Sequence, residues 1–96
     1  MRDRKSDGRD APGIGARLLL TRQALGLAQK EFAERAGLAA NTYNQYESGK
    51  NVPALDRANA LCDAYQLTLD WIYRGDPSGL RYQLAETIKA LRSARA

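Results

Sequence analysis

The stretch Gln29–Gly49, QKEFAERAGLAANTYNQYESG, decides how the chain reads. Phe32, Ala33 and Ala36 recur at helical spacing and stop at Gly37, a residue suited to the left-handed close of a helix C-terminus. A second run from Ala40 to Glu47 ends at Ser48-Gly49. Ala33 and Gly37 put a small residue and a turn glycine four apart, with Leu38, Tyr43 and Tyr46 following. Two helices that cross steeply need a small residue at the contact and a glycine at the corner.

The second helix of this pair carries the functional signal. At 100° per residue, Asn41, Asn44, Gln45 and Ser48 fall within roughly 100° of arc, while Ala39, Tyr43, Tyr46 and Glu47 fall opposite. One face is carboxamides and a hydroxyl; the other is apolar or aromatic with one carboxylate. Helix propensity does not explain two Asn in so short a helix. The face is either an ordinary solvated surface or one presented to a DNA major groove, where a carboxamide can pair with adenine N7 and N6.

Outward from this pair the pattern stays helical. Ile14, Leu18 and Leu25 mark one face of a first helix that ends at Gly26. Leu55, Ala58, Leu61, Cys62 and Tyr65 carry a fourth helix after the Lys50–Pro53 loop. Thr68 stands as an N-cap ahead of Leu69, Trp71 and Ile72, with a stop at Gly75. Beyond a turn at Asp76–Gly79, Leu80, Leu84, Ile88 and Leu91 give an amphipathic last helix over 80–95. No stretch alternates for long enough to make a strand, so the expected fold class is all-α: five short helices followed by a sixth. The expected organisation is a mobile arm over 1–13, a helical domain over 14–76 and a C-terminal helix within 77–96.

Composition excludes more than it proposes. The chain has 96 residues, enough for one small domain, with 15 Lys and Arg against 11 Asp and Glu for a net charge of +4. The surplus lies in the two ends, because residues 14–76 hold equal numbers of cations and anions. Global charge is therefore not the argument for a polyanionic partner. Without His, the commonest general base and metal ligand are missing, and the single Cys62 has no partner for a disulfide, a Cys–His nucleophile or a zinc site. Cys62 reads as a small core residue, and the Tyr residues and Trp71 as core. Apolar stretches are too short to span a membrane, and the N-terminus has no apolar signal segment. The expectation is a cytoplasmic, nucleoid-associated protein without enzymatic activity, cofactor, catalytic residue or metal site.

Residues 14–75 resemble the Cro/CI (XRE) family of helix-turn-helix DNA-binding domains. The resemblance is carried by Leu25-Gly26-Leu27, Gln29, Phe32-Ala33, Ala36-Gly37-Leu38, Thr42-Tyr43, Tyr46-Glu47-Ser48-Gly49-Lys50, Pro53 and Leu69-Asp70-Trp71-Ile72. It implies a five-helix, lambda-repressor-like domain, here with an added C-terminal helix, in which 29–36 is the first motif helix and 40–48 the recognition helix. It implies a transcriptional regulator that binds double-stranded operator DNA, usually as a homodimer on a pseudo-palindromic site. Carried over, Ala40, Asn41 and Gln45 take base-reading positions, flanked by Thr42 and Asn44. Gln29, Lys30, Ser48, Lys50 and Asn51 take phosphate-contacting positions, Gln29 at a helix N-terminus. Arg22 and Glu47 match a pair that ties the first helix to the end of the recognition helix.

The sequence departs from the family pattern at three places. Ala28 and Ala39 stand where the family usually has Ser or Thr caps. Ala40 brings only a methyl-sized contact. No Arg or Lys lies between Ala36 and Ser48, so the commonest guanine contact is missing and half-sites containing A·T are expected.

Outside the resemblance, the stripe of Leu84, Ile88 and Leu91 is either core packing or a seam between two copies. Arg81, Lys89, Arg92 and Arg95 make the polar side of that helix basic, either as a solvated face or as phosphate contacts. The arm reads as a plain tail more readily than as a minor-groove follower, because Asp residues interrupt its cations. Partners compatible with the sequence are DNA, a second copy, RNA polymerase or a cognate protein. Two rival functions share the fold: an antitoxin that binds a toxin and regulates its own operon, and a helix-turn-helix protein-interaction module.

Overall fold

The computed structural model describes residues 9–95, the side chain of Arg95 excepted. The arm expected over residues 1–13 lies outside the described residues for positions 1–8, as does the part expected of the Arg95 side chain. Within the described residues there are five α-helices and one π-helical turn, and no strand. They run α1 (Ala11–Leu25), α2 (Gln29–Arg35), α3 (Ala40–Glu47), α4 (Leu55–Tyr65), the π-turn (Asp70–Arg74) and α5 (Tyr82–Arg95).

Helix α1 begins three residues inside the expected arm. Asp10 caps it: its Oδ1 accepts from the Gly13 N–H at 3.0 Å, and Pro12 sits in the first turn. An Asp-Ala-Pro start reads as coil from hydrophobicity alone, yet it is a capped helix start. Ile14, Arg17, Leu18 and Thr21 form the buried face. Leu25, expected on that face, is the last residue of α1 and is 37% exposed. Leu55, at the first position of α4, is also exposed.

The corner between α2 and α3 is a closed hydrogen-bond motif. The Gly37 N–H donates to the Glu34 carbonyl and the Leu38 N–H to that of Ala33, each at 2.9 Å. Gly37 has φ +78°, a conformation that penalises any Cβ. Leu38 and Ala33 are both buried under this turn.

The core is one cluster built on Ile14, Leu18, Phe32, Tyr43, Leu61, Trp71 and Ile72. Phe32 stacks on Tyr65 with ring centroids 4.4 Å apart and meets Tyr43 at 5.2 Å. Aromatic polar atoms around this cluster find partners: Trp71 Nε1 donates to Thr21 Oγ1 at 2.9 Å, and Tyr65 and Tyr73 hydroxyls donate to the Phe32 and Pro53 carbonyls at 2.7 Å. Thr68 accepts from the Trp71 N–H at 3.0 Å, capping the entry to the π-turn. Arg17 is buried beneath that turn, donating from Nε to the Trp71 carbonyl and from Nη2 to the Ile72 carbonyl, both at 2.9 Å. The Trp71 carbonyl also accepts the Gly75 N–H at 3.0 Å, so Arg17 supplies it with a second donor and gives the Ile72 carbonyl near the end of the turn a partner.

Helix α5 packs back on α1. Leu84 is 8% and Ile88 2% exposed, both inside this chain's own core, with Leu91 half-buried against it. Burial within this chain accounts for the apolar surface of Leu84 and Ile88 as core packing, one of the two expected readings of the stripe. The helix starts at Tyr82, with Leu80 buried just before it. Arg92 lies over the Trp71 ring, 5.3 Å from its centroid. Among the described residues no helix is long and apolar enough to cross a membrane, and no cluster of acidic and Cys side chains could hold a metal ion.

Candidate nucleic-acid interface

Helix α3 is eight residues long and divides cleanly by exposure. Asn41, Asn44 and Gln45 are exposed, as is Ser48 just past its end, while Ala40 and Thr42 are half-buried. Tyr43 and Tyr46 are buried on the opposite face, where their rings meet edge to face at 6.5 Å. Neither motif helix has a side-chain cap: Ala28 and Ala39 adopt extended cap geometry but offer no oxygen to the first amides.

Glu47, whose side chain is 8% exposed, anchors the buried side of α3. Arg22 Nε donates to its Oε2 at 2.6 Å and Arg22 Nη2 to its Oε1 at 3.2 Å, a two-pronged pair. The Tyr43 hydroxyl donates to Oε2 at 2.6 Å, and Gln29 Nε2 to Oε1 at 3.0 Å. One carboxylate thus joins α1, α2 and α3. Burial pushes this carboxyl upward, but its bonds from Arg22, Tyr43 and Gln29 outweigh that and hold it below the ordinary carboxylate value. The Arg22 guanidinium is raised by the same hydrogen bond. Burial first, and then the hydrogen bond to Glu47, drives the Tyr43 hydroxyl far above its usual range, so it stays a donor.

Close backbone approach holds the same corner. Gly15 of α1 lies against the end of α3, where a Cβ would stand 2.6 Å from the Tyr46 and Glu47 carbonyl oxygens. Beyond α3 the chain reverses: the Lys50 and Asn51 N–H groups both donate to the Gln45 carbonyl, at 3.0 and 3.2 Å. Asn51 Nδ2 also donates to Gln45 Oε1. Lys30 and Lys50 are exposed.

A family model described as helix-turn-helix matches residues 18–72, more than half of the chain. The chain belongs to the helix-turn-helix family. The matched span holds all of α2, the Gly37 corner and α3, which are the helix, turn and helix of the motif. A transcriptional repressor of the cryptic phage CTXphi, RstR of Vibrio cholerae serotype O1, is 30% identical over 57 residues. That alignment covers 59% of this chain and 51% of the relative, so the chain spans about half of the relative's length. No solved structure matches the chain.

In this helix-turn-helix, the residues expected to meet DNA are not all equally free. Asn41 and Asn44 have exposed side chains with no protein hydrogen bond among the described residues. Ser48 Oγ donates to the Gln45 carbonyl at 3.2 Å. Gln29 spends its amide donor on Glu47, and Asn51 spends one on Gln45. Sequence reasoning missed Gly15 and the Tyr43 hydroxyl. A glycine inside an apolar helical run, where no turn is needed, is the signal that would have found the first. The i, i+4 spacing of Tyr43 and Glu47 would have found the second.

Proposed function

We propose that this chain is a sequence-specific double-stranded DNA-binding transcriptional regulator without enzymatic activity. In this reading α3 enters the major groove and two copies act together on a pseudo-palindromic operator. The observation that supports it best is the division of α3. Its buried face and Glu47 are fully engaged with α1 and α2, while Asn41, Asn44 and Gln45 stand exposed on a helix whose pose the motif determines. Asn41 and Gln45 read base edges, Ala40 packs against a thymine methyl, and Thr42 and Asn44 flank them. Lys30, Lys50 and Ser48 contact phosphates and set register without reading sequence. Gln29 braces Glu47 through its side chain, which leaves its position at the start of α2 for an anion.

A homodimer supplies the second half-site, since one eight-residue helix covers only one groove segment. The repressor activity named for the phage relative makes repression the first expectation for this chain. The test is enrichment of randomised DNA duplexes by the full chain, followed by binding titrations of Asn41→Ala and Gln45→Ala on the enriched sequence. The expected result is a symmetric motif with half-sites about one helical turn apart. Each substitution should then cost roughly 1–3 kcal/mol on that motif and little on unrelated DNA. Equal weakening on every sequence would remove direct readout by these two residues.

A further inference from the structure

Gln45 is on the exposed face of α3, and the chain folds back onto it. The Lys50 and Asn51 N–H groups converge on its carbonyl at 3.0 and 3.2 Å, with Ser48 Oγ on the same oxygen at 3.2 Å. This clasp brings the Asn51 side chain beside that of Gln45, and Asn51 Nδ2 donates to Gln45 Oε1. Gln45 Nε2 has no protein partner among the described residues. An unrestrained carboxamide is an ambiguous reader, because rotation about its last bond exchanges an acceptor for two donors.

We infer that Asn51 is a positioning residue that commits the Gln45 oxygen to the loop and turns its NH2 group toward the groove. Gln45 then reads as a donor. It favours edges that offer acceptors, namely guanine N7 and O6, adenine N7 and thymine O4, and it rejects cytosine, whose groove edge offers the N4 donor. The two-point adenine pair open to a free Gln is given up. Asn51 thus acts on specificity through Gln45, in place of the phosphate contact that the family resemblance implied. The inference rests on the reading of α3 as a base-contacting helix.

The test enriches randomised duplexes with the full-length parent, Gln45→Ala, Asn51→Ala and Asn51→Asp. Asn51 is exposed, so unchanged melting temperatures are expected throughout. Gln45→Ala locates the base pair that Gln45 reads. At that pair, Asn51→Ala is expected to narrow discrimination against cytosine by roughly three- to tenfold, leaving other positions unchanged. Asn51→Asp is the sharper variant. A carboxylate can only accept from Gln45 Nε2, which turns Oε1 outward and shifts preference toward cytosine N4 and adenine N6 at that one pair. A merely structural role would not reverse preference at a single position while leaving the others unchanged. The inference is overturned if Asn51→Ala lowers affinity equally on all sequences, as loss of a phosphate contact would, or if Asn51→Asp leaves cytosine rejection intact. A parent chain that enriches no motif overturns the DNA-binding reading itself. A parent motif with unresponsive Asn51 variants overturns only the role of Asn51.

Discussion

Gly15→Ala is a substitution whose sign separates two accounts of α1. Helix propensity alone favours it, because Ala is better than Gly inside a helix by about 1 kcal/mol. Packing opposes it. The new Cβ would stand 2.6 Å from the Tyr46 and Glu47 carbonyl oxygens and 3.0 Å from the Glu47 carbonyl carbon. Carbon–oxygen contacts settle near about 3.3–3.6 Å, so α1 and α3 must part by roughly 0.7–1 Å. All three opposing atoms are backbone, and no rotamer change can make room. Overpacking of this kind costs about 3 kcal/mol, the upper end of the usual range, which leaves a net loss of about 2 kcal/mol after the propensity gain.

For a domain of this size that loss lowers Tm by roughly 10 °C, readable by circular dichroism, with a matching drop in urea midpoint. The substitution should also weaken DNA binding, since the atoms that must move belong to the end of α3. A Gly15→Ala protein as stable as its parent, or more stable, would refute the claim that this contact determines helix spacing.

Two further outcomes test the same corner. Glu47 is held below its ordinary value, so its contribution is complete above about pH 4.3 and is lost as pH falls through its lower folded-state value. Glu47→Gln should flatten the acid limb of a stability–pH curve; superimposable limbs for parent and variant would show that the Arg22, Tyr43 and Gln29 contacts carry no linkage. Ala39→Ser should add about 1 kcal/mol in urea denaturation, because residue 39 already has the extended geometry of a cap and lacks only the oxygen. No gain would mean that the first amides of α3 are satisfied by another group.

Local pattern made most of the helices legible. The α2–α3 corner was written in Ala33, Gly37 and Leu38, and the bonds from Gly37 and Leu38 back to Glu34 and Ala33 are what that spacing permits. The segregated face of α3 was equally plain, because periodicity is a property of consecutive residues. What escaped depends on contacts between distant ones. Arg17 counted as one cation among seven in the domain, and nothing nearby marks it as the donor that closes the π-turn 54 residues later. The apolar stripe of α5 fitted either a seam or a core, since spacing shows that a face is apolar without showing what covers it. Leu25 has the right period, but as the last residue of α1 it stands partly exposed, and periodicity does not show how far the covering elements reach. The clasp of Asn51 on Gln45 required the chain to turn back after Gly49, and a phosphate contact was the simpler expectation for a polar loop residue.

The anchoring of helix α3 predicts that stability and the proposed readout can be altered separately in this chain. Eight residues without a side-chain cap, including two Asn, would not hold a helix in water, where segments under about 12–15 residues are marginal. Its order therefore comes from outside: Tyr43 and Tyr46 buried in the core, Glu47 bound by two other helices, and Gly15 pressed against its last carbonyls. None of these anchors lies on the exposed face. Asn41 and Asn44 are exposed and make no hydrogen bond to the protein among the described residues, so changing them should alter which sequence is read while the unfolding free energy stays within about 0.5 kcal/mol of the parent's. Glu47, Tyr43 and Gly15 are expected to behave the opposite way: in the proposed reading they touch no base, yet every base contact would depend on the pose they impose.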